Sequence, residues 1–176
     1  ELTETLQQQR ATQLGAVTSS QLGALGTADI ADFSTTQLGA LTSTQVRGLT
    51  TTQLNSLGTT ELTALNAPDL SAVQIGGFAD TSIVNLTSTQ MASLSGTQFA
   101  AIGATALNAL DTTIFAALNT AQAGALTAAQ IAGLSTTNFA SLSETTGIPA
   151  LGTAGISGIS TTQIAALSST QATAFT

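Results

Sequence analysis

The side chains that most often carry enzyme chemistry are missing from this sequence. Its 176 residues include no His, Cys, Trp or Tyr, and the two basic residues are Arg10 and Arg47, so Lys is missing too. Without His, Cys and Lys, the usual general base, thiol nucleophile and Schiff-base amine are all lost. A Ser or Thr nucleophile would depend on one of nine scattered carboxylates for activation. We therefore expect no enzymatic activity, no catalytic residue and no cofactor.

The acidic residues do not form a pattern that is typical of metal sites. Asp29 and Asp32 are three residues apart and Asp80 lies near a pair of glycines, but the sequence has no Asp-rich calcium loop. Asp29, Glu61 and Asp69 each stand where similar segments have Gln, which favours a role in capping helix N-termini. We expect no metal-binding residue.

One N-glycosylation pattern is present, at Asn85-Leu86-Thr87. A single match in a chain rich in Ser and Thr is close to chance, and Leu86 is expected in the core. We do not expect this site to be used.

An eight-residue repeat positions these side chains. Thr42 to Leu57 reads as the same pattern twice, and counting from Thr42 as position one finds seventeen repeats. Position one is always Thr, Ser, Gly, Asn or Asp, which are preferred at helix N-caps. Position four is most often Gln, and Ser or Thr followed three residues later by Gln is the capping box. The pattern therefore predicts helix starts at 18, 26, 34, 42, 50, 58 and 66, at 87 to 135 in steps of eight, and at 152, 160 and 168.

The other positions of the repeat indicate how such helices pack. Positions five and eight are mostly apolar, and position seven is Ala, Gly or Ser in sixteen of the seventeen repeats, which indicates that another backbone lies close. One long helix is excluded, because eight residues overshoot two helical turns by about 80° and no apolar stripe would form. A helix of one to two turns is too short to be stable alone in water. The sequence therefore predicts an all-α solenoid of short capped helices, one per repeat, stabilised by stacking.

A β-solenoid is the alternative fold, with position one at its corners and strands stacked between them. Apolar residues three apart would point to opposite faces of a strand, so we favour helices.

The repeat predicts one domain. Residues 1–13 are a polar lead-in or a partial repeat, and residues 14–176 form a single solenoid. The eight-residue spacing is broken at two places, which we call phase breaks. The first lies near 74–82, where Gly76-Gly77 predicts a turn, and the second lies near 143–149, where Pro149 interrupts a repeat. We expect both phase breaks to be insertions that bulge from one face.

The composition excludes two classes of partner. The formal charge is −7 and only 6% of the residues are charged. Phosphate contacts need clustered Lys or Arg, so we expect no binding to nucleic acid. No run of 18 or more apolar residues occurs, so we expect no membrane insertion.

Two rows of hydroxyl residues follow from positions two and three. The first contains Thr35, Ser43, Thr51 and Thr59, and the second contains Thr36, Thr44, Thr52 and Thr60. These residues either assist capping on a solvated face or form ladders suited to ice, glycan or a neighbouring solenoid.

The repeats resemble tracts in known proteins. Leu134 to Leu142 and Ile159 to Leu167 resemble the Thr/Gln/Ala-rich tracts of very large secreted or surface-displayed proteobacterial proteins. The resemblance implies an extracellular or cell-surface location and a structural or adhesive role.

The end of the sequence adds an expectation about partners. Ala172 and Phe175 occupy apolar positions and no polar capping repeat follows them, although solenoids normally have polar caps. We therefore expect self-association, head to tail or lateral, into a fibre or surface layer. The alternative is an ice- or glycan-binding adhesin module that uses the Thr and Ser ladders.

Overall fold

The computed structural model describes residues 13–175 of the chain. Apart from Gln13, the predicted lead-in at 1–13 lies outside the described residues.

Short helices follow one another along the described chain. Residues 13–175 contain no β-strand, so the predicted all-α fold is confirmed and the β-solenoid alternative is wrong. Two 3-10 helices, Ala67–Asp69 and Ile148–Ala150, interrupt the series. The α-helices are α1 (Ser19–Gly23), α2 (Thr27–Ala31), α3 (Thr35–Gly39), α4 (Ser43–Gly48), α5 (Thr51–Ser56), α6 (Thr59–Ala64), α7 (Ala72–Gly76), α8 (Asp80–Ile83), α9 (Ser88–Ser93), α10 (Gly96–Ala100), α11 (Ala104–Asn108), α12 (Thr112–Ala116), α13 (Thr120–Gly124), α14 (Ala128–Gly133), α15 (Thr136–Ala140), α16 (Thr153–Ile156), α17 (Thr161–Ala165) and α18 (Ser169–Thr173).

Helix starts are fixed by the capping residues that the repeat predicts. Thr42 precedes α4 with an extended backbone, and its Oγ1 accepts the Gln45 N–H at 3.3 Å. The Gln45 Oε1 in turn accepts the Thr42 N–H at 2.9 Å, which completes the capping box. Leu49 ends the helix in an extended conformation and leads directly to Thr50, the next N-cap. Among the described residues no φ is positive, so these corners do not depend on left-handed glycines.

Three repeats make one coil of the solenoid. We call each repeat a unit and name it by its first residue. Helix α1 packs on α4, α2 on α5 and α3 on α6, and the same spacing of three units continues through α15, which packs on α17. Consecutive units therefore lie on different sides of a three-sided coil, and each unit stacks on the unit three places earlier.

The core runs through the middle of these coils. Positions five and eight supply it: Leu22, Leu54, Phe99 and Ile131 are fully buried, and Leu49 is nearly so. The interior therefore contains the two apolar residues of each unit, while positions one to three face outward.

Small residues at position seven allow the backbones to come close, as predicted. A Cβ added at Gly48 would lie 2.5 Å from the Ser19 carbonyl oxygen, three units earlier. A Cβ at Gly133 would lie 3.1 Å from the Ala104 Cβ, which is the equivalent contact in another coil. Larger side chains here would separate stacked units.

The first irregular unit lies at 66–70, upstream of the phase break that the sequence predicts near 74–82. Asn66 to Leu70 forms a five-residue unit around the 3-10 helix Ala67–Asp69, with Pro68 in its first turn. Ser71 then caps α7 through Gln74, so the new phase is already set at residue 71. Residues 74–82 span the end of one regular unit and the start of the next. The change of phase therefore lies at 66–70, a few residues before the predicted position.

The second irregular unit covers residues 143–151, in the region of the predicted break at 143–149. It contains one residue more than a regular unit and ends in the 3-10 helix Ile148–Ala150. That helix packs on α13, three units earlier. Both irregular units therefore still fill one side of a coil.

Candidate functional site

The strongest polar feature of the structure is a buried glutamine that caps two helices at once. Gln53 is 2% exposed, and its Oε1 accepts the Thr50 N–H at 2.7 Å. Its Nε2 donates to the carbonyls of Leu22 and Leu25 at 2.9 and 2.8 Å. Those carbonyls lie at the C-terminal end of the unit four places earlier, where a helix leaves its last carbonyls unpaired. One amide group therefore closes the start of one helix and the end of another.

We call this arrangement a glutamine bridge, and it recurs along the described chain. In every case the donor reaches the unit four places earlier, including bridges that cross the two irregular units. The bridges run from Gln45 to Leu14 and Val17, Gln53 to Leu22 and Leu25, Gln74 to Val46 and Leu49, Gln90 to Leu62 and Leu65, Gln98 to Ala67 and Leu70, Gln122 to Met91 and Leu94, Gln130 to Phe99 and Ile102, Gln163 to Ile131 and Leu134, and Gln171 to Ala140 and Leu142.

Where position four has no Gln, Asn108 and Asn55 accept the N–H of the N-cap residue four units later. Asn138 is one methylene shorter than Gln, and the Ser135 N–H is bonded instead by the Oδ1 of Asn108 at 2.7 Å. Asn138 donates to the Asn108 carbonyl at 2.8 Å. Asn55 plays the same part for Ala79, whose N–H it accepts at 2.8 Å. In both cases the partner again belongs to the unit four places earlier.

The bridge was missed in the sequence, although a signal for it exists. Capping alone is satisfied equally by Gln or Glu, whereas position four is usually Gln. Only the amide carries both an acceptor for the N-cap and a donor for distant carbonyls. The preference for Gln over Glu was therefore the indication of a second partner.

The acidic residues at position four behave differently from one another. Asp29 accepts the Gly26 N–H at 3.0 Å, which is the predicted capping role. A Cβ added at Gly58 would lie 2.6 Å from Glu61 Oε2, which places that carboxylate at the start of its helix.

Asp69 does not cap its own helix. Its carboxylate accepts from the Ser43 hydroxyl and, at 2.7 Å, from Asn66 Nδ2. These two hydrogen bonds, with a smaller contribution from the Arg47 charge, hold the pKa of Asp69 below its ordinary value. Asp69 therefore joins the shortened unit to the unit stacked on it.

The remaining candidates are two acidic residues and the N-glycosylation pattern. Asp32 ends α2 and Asp80 begins α8, and within residues 13–175 no three acidic side chains come together as metal ligands. Asn85 is half-buried, Leu86 is in the core, and Thr87 is used in the capping box with Gln90.

The predicted hydroxyl ladders are rearranged by the three-unit coil. Thr35, Ser43 and Thr51 belong to consecutive units and lie on three different sides, so they do not form one row. Rows instead join every third unit. The longest run contains both hydroxyl positions in four successive coils, and all of its residues except the half-buried Thr112 are exposed. They are Ser88 and Thr89, Thr112 and Thr113, Thr136 and Thr137, and Thr161 and Thr162.

The last coil leaves core positions at the surface. Ile156 is 46% exposed and Ile164 is 56% exposed, whereas Ile131, at the same position of an earlier unit, is fully buried. We call this surface the C-terminal edge. It is a shallow apolar groove of about 240 Å³ lined by Ile156, Ile159, Ile164, Leu167, Ala172 and Phe175.

A helix that could span a membrane is not found in the described part of the chain.

Comparison with known families identifies the repeat. The ALTTAQ repeat family matches residues 14–51, 30–67 and 144–176. Curated proteins and solved structures gave no match. The helices between 68 and 143 stack with the same spacing as the matched segments. The chain is therefore a repeat-containing protein, and parts of it match the ALTTAQ repeat family.

Proposed function

We propose that this chain is a non-enzymatic structural protein whose solenoids stack end to end into a fibre or a surface layer. The observation that carries the proposal is the interface between stacked coils, in which each coil covers the apolar positions of the coil before it and donates glutamine bridges to its carbonyls. The same interface recurs along residues 13–175, so it suits stacking between copies as well as within one copy. At the C-terminal edge the same apolar positions are exposed in Ile156 and Ile164.

The proposed location is extracellular or at a cell surface. Support comes from the likeness of the repeats to the Thr/Gln/Ala-rich tracts of secreted and surface-displayed bacterial proteins. A surface built from Ser, Thr, Gln and Ala, with 6% charged residues, also suits close lateral packing of many copies.

The assembly is tested by multi-angle light scattering over a wide concentration range, with electron microscopy of the concentrated samples. We expect the mass to rise with concentration and filaments one solenoid wide to form. Ile164→Glu should hold the protein monomeric, because it places a charge in the apolar groove. Val73→Glu is the matched control, since Val73 is 82% exposed and lies away from the edge. A chain that stays monomeric at all concentrations would overturn the proposal.

A second candidate function uses the hydroxyl row from Ser88 to Thr162. Its support is the regular spacing of paired hydroxyls over four coils, which suits an ordered ice or polysaccharide surface. Thermal hysteresis measurements test the ice-binding function. If the protein shows no hysteresis and leaves ice growth unchanged, it does not bind ice.

A further inference from the structure

A groove interrupts the side of the solenoid where units Thr87 and Asp111 stack. Two adjoining cavities of about 240 and 350 Å³ share Ser88, Met91, Thr113 and Ile114 in their lining. The lining thus combines apolar side chains with hydroxyl groups. This groove lies far along the chain from the C-terminal edge and belongs to a different set of units.

The groove exists because position four of unit Asp111 is Ile114. In nine of the described units the residue at this position is a Gln that reaches the unit four places earlier, which for Ile114 is unit Ala79. Isoleucine has no donor, so this bridge is missing. The carbonyl of Leu86, which the bridge would have paired, accepts no hydrogen bond from any residue between 13 and 175. The missing side chain therefore leaves both space and an open acceptor.

The polar groups around the groove are mainly acceptors. The Asp111 Oδ1 accepts the Thr113 N–H at 2.8 Å, and hydrogen bonds from the Thr113 backbone and side chain hold the pKa of Asp111 below its ordinary value. Ser88 and Thr113 add hydroxyl groups at the rim, and the Leu86 carbonyl adds a further acceptor. Met91, Ile114 and Leu118 provide an apolar floor. A fitting ligand must therefore combine several O–H donors with an apolar face.

We propose that this groove binds a neutral pyranose residue of a polysaccharide. A pyranose ring presents hydroxyl donors at its edge and C–H groups on its faces, which match the acceptor rim and the apolar floor. An acidic sugar does not match, because its carboxylate would meet Asp111 on a chain of net charge −7. The site is independent of end-to-end stacking, since none of its lining residues belongs to the C-terminal edge.

The test is an NMR titration of the full chain with three hexamers: cellohexaose, maltohexaose and hexagalacturonate. We expect saturable shifts with at least one neutral hexamer, centred on the Met91 methyl group and on the amides of Asp111, Thr113 and Ile114. Hexagalacturonate should bind at least tenfold more weakly.

Ile114→Gln gives the decisive variant, because it restores the residue that the repeat has elsewhere. Its side chain should fill the groove, pair with the Leu86 carbonyl and weaken binding at least tenfold. The melting temperature should stay equal or rise, which separates loss of the site from loss of the fold. Thr137→Ala, in the same hydroxyl row but outside the groove, is the control and should bind as the parent does.

Three results would each overturn the proposal. These are no saturable shift with either neutral hexamer, shifts centred away from the groove, and equal binding by the parent and by Ile114→Gln. Stacking into filaments would remain open in all three cases, because it is measured separately by light scattering.

Discussion

The coil formed by units Thr42 to Gly58 and the coil formed by units Gly152 to Ser168 follow the same eight-residue pattern, but they differ in burial. Leu54 in the first coil is fully buried, whereas Ile164, at the same position of the second, is 56% exposed. The sequence of a unit is therefore not what decides its burial. The following coil decides it, because that coil supplies both the apolar cover and the bridging amides.

This comparison places the stability of the protein in the interfaces between units. Each helix has too few residues to be stable alone. The stability that it gains by packing therefore depends on which units lie next to it. Matched substitutions in interior and edge units should therefore differ in cost, even when the residue and its position in the unit are the same.

The largest difference is expected at position five. Ile131→Ala should lower the free energy of unfolding by about 2–5 kcal/mol, because it leaves a cavity in a fully buried site. Ile164→Ala should cost below about 1 kcal/mol in dilute, monomeric protein, since much of that side chain already contacts water. Urea denaturation of both variants measures the difference. Equal costs would show that burial by the next coil is not what stabilises this position.

Removal of a bridge should have the next largest effect. Gln53→Ala leaves the Leu25 carbonyl and the Thr50 N–H without partners and leaves the Leu22 carbonyl with only the Leu25 N–H, at a cost of about 2–4 kcal/mol. Among the described residues, Gln21→Ala removes the bonds to the Thr18 N–H and hydroxyl, which are worth about 0.5–1 kcal/mol. Hydrogen exchange at Leu25 and Thr50 would locate the change. If the two variants lose the same stability, the bridge contributes nothing beyond capping.

A methyl group added between stacked backbones should cost somewhat less. Gly48→Ala places a Cβ 2.5 Å from the Ser19 carbonyl oxygen and should cost about 1–3 kcal/mol. Gly103→Ala places its Cβ in open space, so its cost should stay below about 1 kcal/mol. Thermal unfolding followed by circular dichroism compares them. A tolerated Gly48→Ala would mean that the coils separate more easily than the structure indicates.

The smallest effect concerns pH and the shortened unit. Because its pKa is lowered in the folded chain, Asp69 stabilises the fold above its unfolded pKa of about 3.9 and loses that contribution as the pH falls through its folded value. Asp69 is only half-buried, so solvent screening should keep the contribution below about 1 kcal/mol. Unfolding of the parent and of Asp69→Asn between pH 7 and pH 3 checks this. Their difference in stability should shrink below pH 4, and a difference that grows there would contradict the assignment.

The sequence alone predicted the local structure well. Cap residues act over three or four neighbouring residues, so Thr42 with Gln45 could be read directly as a helix start. The small residue at position seven predicted close backbones, which the contact of Gly48 with Ser19 confirms.

Longer-range features could not be predicted in the same way. Nothing within one repeat states that three repeats complete a coil, because that number depends on the corner angle between consecutive helices. The first irregular unit was misplaced because Gly76-Gly77 is a stronger turn signal than Asn66 to Leu70. A five-residue 3-10 turn can still bring Leu70 into the core, where it is 2% exposed. The groove at Ile114 was missed for the same reason, since it depends on a partner far away in the sequence.

The glutamine bridge also has a consequence for how such chains diverge. In its regular form each bridge joins residues 28 or 31 positions apart. A substitution at one end of a bridge therefore changes which substitutions the fold tolerates at the other end. Asn108 and Asn138, which are 30 positions apart, already form such a matched pair. Related sequences should therefore show correlated exchanges at this separation, and a duplication that respects it can lengthen the solenoid without disturbing the rest.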